Sequence, residues 1–236
     1  MLSLERQEHY RRRYAEMTPH WRPSTHVYQD LVAARLGSRT RALDLGCGRG
    51  GVMERLHPRA AFVAGLDPDF ASLREHRTPA LFRACGVAER LPYADDCFDV
   101  VCCSWVLEHA SAPRRTFAEV ARVLQLGGAF IFLTSNARHP LLTLNRALGW
   151  TQGRLAQKVY DREESDVFPA LYRANTESQI RQLACSAGLT LRAFHFVGDP
   201  TYLAFNDAFF HLGCLLERIT PPALRVHFIG ECRLSI

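Results

Sequence analysis

The 236-residue sequence predicts an α/β fold, with an open and largely parallel sheet covered by helices on both faces. Three observations carry that expectation. Short apolar strands alternate with helical segments between residues 41 and 134. A glycine-rich turn, Gly46-Cys47-Gly48-Arg49-Gly50-Gly51, follows the first of these strands directly. The segment Phe98 to Ser104 is almost continuously apolar, as a strand covered on both faces should be.

Each element has a local reason. Leu4 to Ala15 is rich in Arg and Glu and reads as a helix. Pro19 and Pro23 break the chain, and Ser24 is a candidate N-cap for a helix from Thr25 to Leu36, which Gly37 ends. Arg41 to Leu45 is the first strand, and Val52 to Leu56 opens a helix after the glycine turn. Ala61 to Leu66 is the second strand, ending at Asp67-Pro68, and Phe70 to Arg77 is helical. Leu81 to Cys85 and Phe98 to Ser104 are the third and fourth strands. Pro113 to Leu124 is a helix with proline near its first position, and Gly128 to Thr134 is the fifth strand.

The alternation loosens after Ser135. Residues 137–174 mix Pro, Gly, Arg and aromatics around the acidic run Asp161 to Asp166, and read as an insertion over the carboxyl edge of the sheet. Thr176 caps a helix reaching Ala187, and Leu189 to Val197 is a strand. Tyr202 to Ile219 is an apolar, helix-like stretch that Pro221-Pro222 ends, and Val226 to Arg233 is the last strand.

Composition narrows the class. A chain of this length makes one elaborated domain at about 150 residues per domain. It is large enough to hold a core without disulfide or metal. Arg and Lys exceed Asp and Glu by 29 to 24, a net charge of +5, and Lys158 is the single lysine. No apolar run reaches the roughly 18 residues of a membrane span. Residues 1–6 lack the apolar core of a signal peptide, so a cytoplasmic protein is expected, with its eight cysteines as thiols. There is no C-x-x-C pair and no histidine pair at zinc spacing, so no metal is expected.

The glycine turn is where a ligand can approach the backbone. Gly46-x-Gly48-x-x-Gly51, with Asp67 downstream, also fits a dinucleotide fingerprint, so the turn alone leaves NAD open. Asp44 tips the balance. A carboxylate two residues before the first glycine repels a pyrophosphate and suits a cation.

Further motifs follow in order. They are Ala88-Glu89-Arg90-Leu91-Pro92 leading to Asp99, then Ser104-Trp105-Val106-Leu107-Glu108-His109, then Leu124-Gln125-Leu126-Gly127-Gly128. With Leu43-Asp44-Leu45-Gly46-Cys47-Gly48-Arg49-Gly50, this series resembles the class I S-adenosylmethionine-dependent methyltransferases, in the ubiquinone/menaquinone-type (type 11) branch. The resemblance covers residues 41–134. Leu126 stands where the family usually has proline, and Val87 where it usually has Asp. Phe168 to Thr176 resembles a sub-group of bacterial methyltransferases.

The resemblance implies a Rossmann-like sheet of seven strands, the last antiparallel between the fifth and sixth. It implies S-adenosylmethionine as cofactor and S-adenosylhomocysteine as product. Gly46, Cys47, Gly48 and Gly50 would pack on the methionine part, with Asp44 at its ammonium end. Asp67 would take the ribose hydroxyls and Pro68 would lie against the adenine. Ala88 and Glu89 would meet the adenine edge, and Ser104 and Trp105 would lie under the methionine moiety. His109 is the candidate base, since an imidazole with its ordinary pKa of about 6.5 can take a proton at neutral pH. It is also a candidate cofactor contact.

Acceptor contacts are sought outside the motifs. Tyr14, Trp21 and Arg22 precede the first strand, and His139, Tyr160, Tyr172 and Arg173 lie in the insertion. His195, Phe209, Phe210 and His211 are further candidates. The domain reading is one unit, with a helical lid (1–40), a cofactor-binding core (41–136) and a cap insertion (137–174). Residues 175–236 complete the sheet, with a helical insertion at 200–222. The expected reaction is methyl transfer to a small-molecule acceptor at oxygen, by a monomer or homodimer. Alternatives are C-methylation of a quinone or isoprenoid and methylation of a lipid or glycolipid. An NAD oxidoreductase, a nucleic-acid methyltransferase and a non-catalytic binding module also remain open. No nucleic acid is expected: the arginines cluster in 6–22, 35–41, 49–59 and 74–90, mostly on predicted helices and turns. In addition, Ser104-Trp105-Val106-Leu107 stands where amino-group methylation of nucleic acid would show an Asn/Asp-Pro-Pro-aromatic signature.

Overall fold

Residues 4–147 and 169–235 are described by the structure, a computed structural model. Its strands are β1 (Arg41–Leu45), β2 (Phe62–Asp67), β3 (Phe82–Cys85), β4 (Phe98–Ser104), β5 (Leu124–Ser135), β6 (Leu189–Val197) and β7 (His227–Leu234). They form one seven-stranded sheet in the order β3-β2-β1-β4-β5-β7-β6. The first five pair in parallel, and β7 runs antiparallel to both β5 and β6. The Rossmann-like α/β sheet with its last strand antiparallel is therefore as expected. The chain leaves β1 toward β2 on one side and returns to β4 on the other. In open α/β sheets ligands bind at such a reversal, here outside the carboxyl ends of β1 and β4.

The helices are α1 (Leu4–Met17), α2 (Ser24–Ala33), α3 (Met53–Leu56), α4 (Phe70–Arg74), α5 (Pro113–Val123), α6 (Pro140–Ala147), α7 (Glu177–Ser186) and α8 (Asp207–Ile219). On α5 the buried positions Thr116, Phe117, Val120 and Val123 follow the three-to-four residue period of one face. That face and Ile180, Leu183 and Ala184 of α7 pack on Phe98, Phe130, Phe132 and Phe228. The pleat sends Ile131 and Leu133 the other way. There they meet Tyr28 and Val32 of α2, Met53 and Leu56 of α3, and Ile229 of β7. The segment 1–40 thus divides. α2 belongs to the layer on the sheet, while α1 carries Tyr10 and Tyr14 onto Phe210 and Cys214 of α8.

Local readings differ from the structure in a few places. Pro23, not Ser24, occupies the N-cap of α2, and the Ser24 hydroxyl is instead 3.0 Å from His227 Nδ1. β5 starts at Leu124, before the Gly127-Gly128 pair, and α4 stops at Arg74. Tyr202 to Ile219 is not continuous: a 3-10 turn (Pro200–Leu203) precedes α8, whose N-cap Asn206 accepts from Phe209 N. α7 is capped by Thr176 as read from the sequence. Tyr160, Phe168 and the Asp161 to Asp166 run lie outside the described residues. No helix among the described residues is long and apolar enough to cross a membrane.

One glycine exposes how tightly the aromatic layer is filled. Gly230 on β7 pairs with Phe132 of β5 and Phe194 of β6, and a Cβ there would coincide with the Phe132 ring. Gly230→Ala should therefore destabilise by about 1–3 kcal/mol through overpacking. In urea the midpoint falls while the slope stays unchanged. An unchanged midpoint would mean that the ring has room to move.

Candidate functional site

The carboxyl ends of β1, β2 and β4 build the site. β1 ends in Asp44-Leu45, and the chain then turns through Gly46, Gly48 and Gly50 with φ of 78°, 47° and 130°. These lie in left-handed territory that side chains rarely adopt. A Cβ on Gly46 would also run into the Val106 side chain from the turn after β4. Gly51 has neither constraint: its φ is unremarkable and open space surrounds its Cβ position. The turn is thus built on Gly46, Gly48 and Gly50, and the third glycine of the dinucleotide pattern has no structural role here. Cys47 is buried, with its Sγ against Gly65.

Asp44 sits beneath this turn, 3% exposed. Its register partner on β4 is Cys102, whose Sγ lies 3.8 Å from Oδ1, while Oδ2 has no hydrogen-bond partner. Burial pushes its carboxyl up to about 7; the Asp67 charge adds to this and the Cys102 thiol opposes it. Oδ2 is thus a buried acceptor without a partner, next to a turn that three glycines open to backbone approach.

Asp67, at the end of β2, accepts from Gly48 N at 2.8 Å and from Asp69 N at 2.9 Å. Burial raises its pKa, against the pull of those two backbone donors. The carboxylate is thereby locked to the glycine turn, with lone pairs left for a diol. Pro68 beside it is exposed. Val87 to Arg90 forms a tight turn, with Arg90 N donating to Val87 O, and Ala88 half-buried within it. Glu89 Oε1 accepts from Ser111 N, Ser111 Oγ and Ala112 N, just before α5 begins. Burial opposes its ionisation, but these bonds prevail and its pKa is lowered. Glu89 therefore ties the β3 edge to the loop after β4.

Ser104 and Trp105 close β4. Trp105 is held at φ 59°, a strained value for a bulky residue, while its N–H donates to Leu133 O. Glu108 is buried and accepts from Thr134 Oγ1 at 2.7 Å; Thr134 in turn accepts from Asn175 Nδ2 at 2.7 Å. The Glu108 carbonyl receives Leu171 N and Tyr172 N. This network fastens residues 171–175 over the ends of β4 and β5. His109 Nδ1 lies 3.1 Å from Pro169 O, so this nitrogen is the donor. Tyr172 (φ 52°) lies under the Arg146 guanidinium, and Arg173 donates to Ser111 O.

The N-terminal candidates sit apart from the glycine turn. Tyr14 packs edge-on against Trp21, whose indole N–H donates to Gly198 O, and Arg22 pairs with Asp30. His195 and Phe209 are exposed, Phe210 stacks on Tyr10, and His211 is 3.3 Å from Arg13. His139 is buried, and burial lowers its pKa to about 4. Its neighbour His227 escaped the sequence reading. It starts β7, and no spacing or motif distinguishes it from a core residue. Among the described residues no group of His, Cys, Asp and Glu is placed to hold a metal.

Comparison with known proteins follows these features. Residues 43–132 match a family model described as a methyltransferase domain. The chain is 37% identical over 126 residues to a malonyl-[acyl-carrier protein] O-methyltransferase from Herminiimonas arsenicoxydans, covering 48% of this chain and 47% of that one. It is 36% identical over 129 residues to a ubiquinone biosynthesis O-methyltransferase from Alkalilimnicola ehrlichii, covering 51% and 52%. The chain thus spans about half the length of the curated relatives it matches. An S-adenosylmethionine-dependent methyltransferase structure from Mesorhizobium loti superposes with TM-score 0.65 at 19% identity, covering 89% of this chain and 98% of that one.

The Asp44 carboxyl has a measurable cost. Its folded value near 7 lies above the ordinary 3.8, so between those limits the folded state holds the extra proton. Stability then falls as pH rises from about 4 to 7, by at most roughly 4 kcal/mol for this group. Asp44→Asn removes that term. The variant should melt above the parent at pH 8, and this advantage should shrink toward pH 4. A difference independent of pH would contradict the assignment.

Proposed function

We propose that this chain, which belongs to the class I S-adenosylmethionine-dependent methyltransferases of the ubiquinone-type branch, moves a methyl group from S-adenosylmethionine to the oxygen of a small-molecule acceptor. The observation that carries the reading is the unpaired, buried Asp44 oxygen at the end of β1, next to a turn in which Gly46, Gly48 and Gly50 have positive φ. The residues present fit the cofactor. Asp44 would hold its ammonium group, and Gly46, Cys47, Gly48 and Gly50 would pack against its methionine part. Asp67 would take the ribose hydroxyls, Pro68 and Ala88 would flank the adenine, and Glu89 would keep the adenine edge in place. When bound, the cofactor supplies an electrophilic methyl group on a sulfonium that leaves as a neutral thioether.

The chain's own task is then to align and to exclude water. Ser104 and strained Trp105 would face the reacting end. The Glu108–Thr134–Asn175 network holds residues 171–175 in place as part of the cover. His109 would accept the acceptor's proton. Its Nδ1 donates to Pro169, so a neutral ring carries its lone pair on Nε2.

Titration calorimetry with S-adenosylmethionine and S-adenosylhomocysteine tests the reading. Both should bind, and Asp44→Asn should weaken them about 10- to 100-fold, the worth of a charge-assisted hydrogen bond. With methyl-labelled cofactor and cell extract, label should enter the small-molecule fraction. His109→Gln should slow that transfer about 100-fold while weakening homocysteine-product binding by far less, the excess being its share as base rather than as cofactor contact. Absence of heat with both cofactor forms, alongside binding of NAD, would overturn the proposal.

A further inference from the structure

The antiparallel course of β7 brings its first residue to the same edge as the last residues of β4 and β5. His227 pairs there with Ser135 of β5 and Val197 of β6. Its ring is nearly sealed, 3% exposed, yet fully engaged: Nδ1 is 3.0 Å from Ser24 Oγ and Nε2 is 2.9 Å from Tyr202 OH. The Trp105 indole stands edge-on to it, with centroids 4.8 Å apart. His227 is thus one ring away from the strand end that carries Ser104 and Trp105.

A second imidazole lies close by. Asn136 N donates to Val226 O, which anchors the β5 end beside His227, and His139 N donates to Asn136 O one turn later. His139 is 8% exposed, and its Nδ1 has no hydrogen-bond partner. A buried nitrogen left unpaired costs about 1–3 kcal/mol, which a hydrogen-bond partner from a ligand would recover. Trp105 and Tyr202, both half-buried, give the cluster its aromatic rim.

The charges around this cluster are already matched. Asp199 is held by Arg11 at 3.0 Å and by Thr201 N and Oγ1, and Arg225 faces Glu217 at 3.4 Å. Arg138, next to His139, is exposed. Burial keeps both imidazoles neutral, their pKa values near 4. Among the described residues around the cluster, the buried charges each face an opposite charge, although Glu217 Oε1 and Arg225 Nε make no hydrogen bond to one another, so a neutral ligand is favoured over a charged one. A neutral hydroxyl satisfies an imidazole nitrogen in either tautomer, donating to it or accepting from it.

We propose that Trp105, His139, Tyr202 and His227 form the acceptor subsite, and that it takes an uncharged ring bearing a hydroxyl group, with His139 Nδ1 as its hydrogen-bond partner. The proposal rests on the methyltransferase reading for its place next to the cofactor turn. The residues and the ligand chemistry come from the cluster itself.

Catechol and benzoate, rings of similar size that differ in charge, make the test. Each is titrated into protein loaded with S-adenosylhomocysteine, by calorimetry and by the ring-nitrogen resonances of the histidines. Catechol should bind at least about tenfold tighter than benzoate and shift His139 Nδ1. His139→Leu and Tyr202→Phe should each weaken catechol while leaving the S-adenosylhomocysteine affinity unchanged. Benzoate binding as tightly as catechol, no catechol binding, or catechol binding unaffected in His139→Leu would overturn it. If S-adenosylhomocysteine itself fails to bind, the methyltransferase reading falls. The His139 shift with catechol alone then still decides the subsite.

Discussion

The site depends on one buried carboxyl group, Asp44, whose Oδ2 has no hydrogen-bond partner and whose ionisation burial opposes. Asp44 is fixed by the β1–β4 register opposite Cys102, a weak donor, and is 3% exposed. The backbone N–H groups nearest to it are spent elsewhere: Gly46 N and Cys47 N both donate to Leu66 O. The buried Cys47 thiol of the glycine turn makes no hydrogen bond to Oδ2, which stays without a partner. A charge on this carboxyl is costly while it has no partner, and under the proposed function the cofactor's ammonium group would offset that cost. Asp67, tied to Gly48 N, and Glu89, tied to the start of α5, extend the same acidic line across three strand ends.

Topology explains why distant segments meet here. Parallel strands deliver their carboxyl ends to one edge, and the antiparallel β7 adds its amino end to that same edge. Ser24, Trp105, His139, Tyr202 and His227 therefore converge from five parts of the chain. The Glu108 carbonyl and carboxylate then fasten residues 171–175 beside them through backbone and side-chain bonds. A net charge of +5 coexists with this arrangement because many arginines are paired on the surface, as Arg49 is with Glu75 and Arg122 with Glu119.

What the sequence shows is what local physics decides. The glycine turn, the buried strands, the Thr176 cap and Asp44 could all be read, since each depends on neighbours a few residues away. Ser24 looked like a helix cap because its residue type favours that role. In the fold its hydroxyl serves His227, 203 positions later. The stretch Tyr202 to Ile219 looked uniform in hydropathy, but Pro200 and the Asn206 cap divide it. His227 carried no signal, because its meaning comes from strand order alone. The +5 charge likewise said little about the site, where the buried groups include the acids Asp44 and Asp67.

The most direct measurement is the titration of the Asp44 carboxyl carbon by NMR, without and with S-adenosylhomocysteine. The account predicts a midpoint near 7 in the free protein. Saturation with the ligand should pull it below about 5, as an opposite charge within contact does. A midpoint at the ordinary carboxylate value in the free protein, or one that the ligand leaves unmoved, would contradict the claim that this carboxylate is buried unpaired to receive a cation.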